Sequence, residues 1–238
     1  MAGSPTLPDP QPTHKARREK GMKNCHAPDD QTVRLILSRA CATVLAVAFT
    51  VLLPQAAHAD RVTPPSVPSD IQVPEGYRAF REGFAVGTQN YICLPSGSGF
   101  AWTFFGPQAT LFNHDDHQVI THFLSPNPIE SGTPRATWQH SQDTSTVWAV
   151  AIASSSDVAF VAPGAIPWLL LEVIGAQDGP TGGHKLTATI LIQRLNTSGG
   201  VVPSTGCTLS TDVGKRALVP YTADYFFYKA RGGVGDDN

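Results

Sequence analysis

The sequence predicts an all-β, single-domain protein, an antiparallel β-sandwich or β-barrel with one disulfide, preceded by a cleaved signal peptide. Three observations predict it. Beyond residue 60, short β-branched and aromatic runs are separated by Gly, Pro, Asn and Ser at intervals of roughly ten residues, the rhythm of antiparallel strands and their turns. Helical periodicity is almost absent there. Upstream, Arg34 and Arg39 flank an apolar stretch, Ala40 to Leu53, that ends at Pro54 and the small-residue site Ala57-His58-Ala59, the layout of an export signal.

Residues 1–33 read as a disordered N-terminal extension. Pro5, Pro8, Pro10 and Pro12 and the basic cluster Lys15, Arg17, Arg18 and Lys20 offer nothing from which to build a core. Met22 lies closer to the apolar stretch and is an alternative start to Met1. Residues 34–59 form the signal peptide. Only 14 residues separate Arg39 from Pro54, short of the roughly 20 that cross a bilayer, so they read as a removed leader and leave no integral membrane span. Cys41 follows Ser38-Arg39, where a lipoprotein signal would be apolar. The mature chain is expected to start at Asp60, in the periplasm or the medium.

The remaining 179 residues amount to one domain of ordinary size. They hold 10 Lys and Arg against 15 Asp and Glu, a formal charge of −5, which makes nucleic acid and anionic membrane surfaces poor partners. Of the four cysteines, Cys25 and Cys41 leave with the leader. Cys93 and Cys207 remain where thiols are oxidised, and two cysteines allow one pairing. The bridge closes 114 residues, which removes on the order of 4 to 5 kcal/mol of unfolded-chain entropy. The pair lacks the spacing of a redox couple or a thiolate zinc site.

Residues 60–76, with Pro64, Pro65, Pro68 and Pro74, form a Pro-rich lead-in that should be extended and partly ordered. The all-β domain spans 77–231 and a flexible tail covers 232–238. The clearest strands are Ala85 to Leu94, Phe100 to Phe105, Gln118 to Leu124, Val147 to Ala153, Trp168 to Ile174, Lys185 to Leu195 and Tyr221 to Lys229. In Lys185 to Leu195, alternation predicts that Leu186, Ala188, Ile190 and Ile192 are buried and that Thr187, Thr189 and Gln193 are wet. Trp168 to Ile174 is apolar on both faces except at Glu172, so it should be covered on both sides. Glu172 then faces outward or pairs with Arg194; the functional alternative is a carboxylate of raised pKa facing a cavity. In the last strand Tyr225 and Phe227 face away from Phe226 and Tyr228, so both of its faces need packing. Gly182-Gly183 and Gly199-Gly200 read as turns, because no helix follows them to receive a phosphate.

Several blocks stand in order along the chain: VPEGY at Val73 to Tyr77, QNYIC at Gln89 to Cys93, the aromatic pair Trp102 and Phe104, VITHF around His122, PWLLL from Pro167, Ile192 to Thr197, Gly199 to Pro203, Gly206-Cys207 and PYTADYFFY from Pro220. Together they resemble a family of secreted bacterial and fungal proteins known only as a domain of unknown function (DUF3455-like). The resemblance implies an exported all-β domain with paired cysteines and implies no activity. The chain departs from the family pattern around Thr133 to Thr146, which reads here as a loop.

One dense group of proton-handling or metal-ligating residues stands out: His114, Asp115, Asp116, His117 and His122, with His140 and Asp143 further on. His117 and His122 are five apart, hence on opposite faces of one strand unless a bulge intervenes, which argues against a simple two-His site. His114, Asp116 and His117 could still join His122 or His140, since imidazole and carboxylate suit zinc, copper or iron. The plainer reading is a polar turn in which Asn113, Asp115 and Asp116 cap backbone donors. His122, inside an apolar strand, reads either as a core histidine with a backbone partner or as a catalytic base, with Asp143 or His140 beside it. No nucleophile-elbow serine accompanies it. Among the tryptophans, Trp138 alone stands in a polar context, beside Thr137, Gln139 and His140, so it is expected to be an exposed stacking surface for sugars; Trp148 and Trp168, within apolar strands, read as core.

The leading function is therefore a secreted or periplasmic binding or surface-interaction module that requires no cofactor, its partner a polysaccharide or another envelope component. A metal-dependent or acid/base envelope enzyme built on His114, His117, His122 and His140, with a divalent transition metal, is the alternative. A structural envelope protein is the third.

Overall fold

A computed structural model describes residues 62–232. The extension at 1–33, the leader at 34–59 and the tail beyond 232 lie outside the described residues. Eight antiparallel strands follow one another around a closed barrel, with the last paired to the first. They are β1 (Tyr77–Ser96), β2 (Gly99–Phe112), β3 (Gln118–Asn127), β4 (Thr133–His140), β5 (Thr146–Ser155), β6 (Trp168–Gln177), β7 (Leu191–Gly199) and β8 (Arg216–Ala230). Closure, as opposed to two stacked sheets, gives every strand a hydrogen-bonded neighbour on each side. Among the described residues the only helical pieces are 3-10 turns of three residues, and no helix is long and apolar enough to cross a membrane.

The strand periodicity builds two separate cores. Inward positions form one: Ala85, Leu111, Ile120, Trp138, Val147, Leu171, Ile192, Tyr225 and Phe227 fill the barrel. The second lies outside, where Trp168, Leu170, Leu191, Leu195, Phe226 and Tyr228 are roofed by Val62, Val67, Ile71 and Val73 of the lead-in and by Phe160 and Val161 of the β5–β6 loop. This outer layer explains why β6 and β8 are apolar on both faces. It also explains Gln193. Expected to be wet, it is 1% exposed and spans the roof, donating to the Ile71 carbonyl at 2.8 Å and accepting from the Tyr228 hydroxyl. A buried amide so partnered holds the lead-in to the barrel.

Three further expectations fail here for physical reasons, and one pair of alternatives is decided. Thr133 to His140 is not a loop but β4, held between β3 and β5, and its polar side chains alternate with Ala136, Trp138 and His140 pointing inward. β7 begins at Leu191, not Lys185. The preceding residues turn, with Thr189 N–H donating to the Leu186 carbonyl, so Leu186 enters the interior while Ile190 stays 37% exposed. Of the two readings of Glu172 the outward-facing one holds: it is exposed on the outer face and does not pair with Arg194, which alternates with Gln193 and lies on the inner face. Trp138 is not on the surface but 1% exposed.

Close approach of β1 and β2 depends on Gly87. A Cβ there would meet the Gln108 carbonyl oxygen at 2.2 Å and the Ala109 Cα at 2.5 Å, so only glycine fits. Cys93 and Cys207 form the disulfide, with Cα atoms 5.5 Å apart. It fastens the segment before β8 to β1, where the Cys93 N–H donates to the Lys215 carbonyl and the Cys93 carbonyl accepts from the Gly214 N–H, both at 2.9 Å.

Candidate functional site

The β2–β3 turn separates the expected cluster instead of assembling it. Asn113 Oδ1 accepts from the N–H groups of Asp115 (3.1 Å) and His117 (2.9 Å), and Asp116 takes a left-handed conformation with φ 58°. This is a capped polar turn. His114 reaches back to β1, its Nε2 3.4 Å from Glu82 Oε2 and its ring edge-on to Phe84 at 4.8 Å. His117 is exposed, whereas His122 lies inside the barrel. No three of His114, Asp116, His117 and His122 converge, and among the described residues no group of three or more His, Cys, Asp or Glu is placed to hold a metal ion.

At one end of the barrel, Asp143 closes the β4–β5 turn. Its Oδ1 accepts from Ser145 N–H (3.1 Å) and Ser145 Oγ (2.7 Å), and its Oδ2 from Lys185 N–H (2.8 Å). Desolvation acts to raise this carboxyl, but the Lys185 and Ser145 hydrogen bonds outweigh it and hold it at about 2. Ser145 Oγ in turn accepts from Leu186 N–H at 3.1 Å, seating Leu186 in the interior. His140, 2% exposed, has Nδ1 3.2 Å from the donating Gln142 N–H and 3.4 Å from Asp143 Oδ1. A ring nitrogen that accepts carries no proton, so Nδ1 holds the lone pair. Burial, reinforced by the Arg81 guanidinium, lowers His140 to about 4. Asp143 therefore acts as a clamp between two loops, and His140 as a buried neutral ring.

Toward the other end the barrel is hollow. The cavity measures about 280 Å³. Its walls are small or aliphatic, with Ala136, Ala149, Leu169 and Leu171 facing in, and Phe104 and Leu124, 52% and 42% exposed, stand at the open side. The room exists because β4 and β5 place alanines where β8 places Tyr225. His122, Trp138 and Tyr225 form an aromatic wall: His122 stacks on Trp138 at 4.1 Å with 12° between planes, and Tyr225 leans on both at 5.2 and 5.7 Å. His122 Nδ1 lies 2.9 Å from the Thr137 carbonyl oxygen, which only accepts, so Nδ1 carries the hydrogen and Nε2 the lone pair. Burial lowers His122 to about 3 despite this hydrogen bond, and Arg194 adds to the effect. The ring is neutral at physiological pH.

The polar part of the cavity comes from Gln89 on β1, Trp138 on β4 and Arg194 on β7. Arg194 donates from Nη2 to the Pro167 carbonyl at 2.8 Å. Arg135 also lines the cavity, but Glu130 grips it through two hydrogen bonds of 2.8 and 2.9 Å. Sequence reasoning missed Gln89 and took Arg194 only as a partner for Glu172. The available signal was alternation, since each occupies an inward position of its strand.

Fold and site together define a closed up-and-down β-barrel with a hollow, largely apolar interior. Residues 74–229 match the family described as a protein of unknown function (DUF3455), and the chain belongs to that family. No curated protein and no solved structure matches the chain.

Proposed function

We propose that this protein is a binding barrel that takes a small, mostly apolar molecule into its interior. The observation that carries the reading is the cavity of about 280 Å³ between Trp138, Leu171 and Leu124, close to the lower end of the 300 to 1,000 Å³ common for ligand pockets. An eight-stranded barrel is just wide enough either to be filled by its own side chains or to hold one small ligand, and the alanines at 136 and 149 favour the second. The stacking platform expected at Trp138 is buried, which favours a ligand inside the barrel over a polysaccharide lying across its surface. The basic-flanked apolar leader and the Cys93–Cys207 bridge support work outside the cytoplasm, in the periplasm or the medium.

A neutral fluorescent probe, N-phenyl-1-naphthylamine, tests the reading. The expected result is saturable binding at one site per chain, abolished in Ala151→Phe, which places a ring at an exposed cavity-lining position without touching the buried core. Binding that survives Ala151→Phe unchanged would place the site elsewhere and refute the proposal.

A further inference from the structure

Three polar groups that line the cavity have a buried N–H without a well-formed hydrogen bond in the protein, Gln89 Nε2, Trp138 Nε1 and Arg194 Nε, with the Tyr221 hydroxyl beside the Gln89 amide and the Tyr225 hydroxyl beside the Arg194 guanidinium. Gln89 is 3% exposed and Trp138 1%. Their chemistry is one-sided. An indole N–H and a guanidinium only donate, whatever the surroundings. A buried donor left without an acceptor costs on the order of 1 to 3 kcal/mol; the Trp138 indole N–H is in that position, and with the Arg194 guanidinium and the Gln89 amide lining the same cavity it forms a cluster of under-used donors that an acceptor group would satisfy. Two other buried donors without acceptors among the described residues, Arg81 Nε and Trp168 Nε1, do not line this cavity.

Charge narrows the acceptor. Among the described residues no aspartate or glutamate lines the cavity, and Arg194 makes no ion pair, whereas Arg135 at the same cavity is neutralised by Glu130. His122 is neutral, so Arg194 supplies the single uncompensated charge. A partly buried guanidinium without a counter-ion is held away from water at a penalty that an anion would offset. Its planar fork of donors matches the two oxygens of a carboxylate. The rest of the cavity is alanine, leucine and aromatic rings, which suit an apolar body.

Resting on the binding-barrel reading, we propose that the cavity takes a small apolar carboxylic acid, its carboxylate received by Arg194 with the Trp138 indole and the Gln89 amide as flanking donors and its hydrocarbon body against Leu171 and Leu169. The molecule is of single-ring size, as the volume requires.

Calorimetric titration of the full-length, oxidised chain with 4-phenylbutyrate and with the matching neutral amide, 4-phenylbutanamide, tests the proposal. The two share one body and differ in charge. The acid is expected to bind about 10- to 100-fold tighter, the range of a charged over a neutral hydrogen-bonded partner. Arg194→Gln should erase the difference, leaving acid and amide within about threefold of each other, and Arg194→Lys should keep part of it because it retains the charge without the fork. Equal binding of acid and amide by the unaltered protein overturns the carboxylate assignment and leaves the binding-barrel reading standing. Binding of neither, with N-phenyl-1-naphthylamine also rejected, overturns both.

Discussion

His122 and Trp138 face each other across the β3–β4 ladder as directly paired residues, their rings stacked 4.1 Å apart inside the barrel. The pair joins a titratable group to the aromatic wall of the cavity. It also fixes the imidazole, since the Thr137 carbonyl beside Trp138 takes the Nδ1 hydrogen at 2.9 Å. A ring so held is a structural member of the cavity wall.

Its burial makes acid stability a direct readout. His122 titrates at about 3 in the folded chain against an ordinary 6.5, so between these values the unfolded chain binds a proton that the folded one refuses. Stability therefore falls as pH drops from about 6.5 toward 3, by up to on the order of 4 kcal/mol from this residue. His140, lowered to about 4, acts in the same direction. Denaturant unfolding at a series of pH values should show the slope, and His122→Phe should flatten it while lowering stability at pH 7 by on the order of 1 to 3 kcal/mol through the orphaned Thr137 carbonyl. An unchanged slope in that variant would show that His122 is protonated in the folded chain.

Gly87→Ala tests the close approach of β1 and β2. The new methyl meets backbone at 2.2 and 2.5 Å, which no rotamer relieves. The strands must separate, so a loss on the order of 1 to 3 kcal/mol is expected, visible as a lower melting temperature. Val86→Ala, next in sequence but 58% exposed on the outer face, is the control and should shift stability by less than about 0.5 kcal/mol.

Breaking the Cys93–Cys207 bridge should destabilise the chain by about 2 to 5 kcal/mol without dissolving the barrel. The β1–β8 ladder runs from Tyr77 to Ile92 independently of the bridge. Cys93→Ala with Cys207→Ala should keep the far-ultraviolet β signal and lose melting temperature; loss of the β signal at 20 °C would mean that the staple is required for folding itself.

Local pattern determined much of this protein. Alternation in Tyr225 to Tyr228 announced two packed faces, and β8 indeed divides its rings between the barrel interior and the outer roof. The two cysteines of the domain announced one bridge, and the continuous apolar run of β6 announced cover on both sides. β4 was hidden because its inward set, Ala136, Trp138 and His140, includes a polar ring and is interleaved with Arg135, Thr137 and Gln139, so its polarity outweighed its alternation.

Tertiary structure alone decided the cavity. Gln89, Trp138 and Arg194 come from three strands far apart in sequence and meet only because the sheet closes on itself, a long-range constraint to which no local window is sensitive. The same closure decided which charge went inside. One step of alternation places Arg194 in the barrel and Gln193 under the roof, and Glu172, on the outer face of β6, was never within its reach.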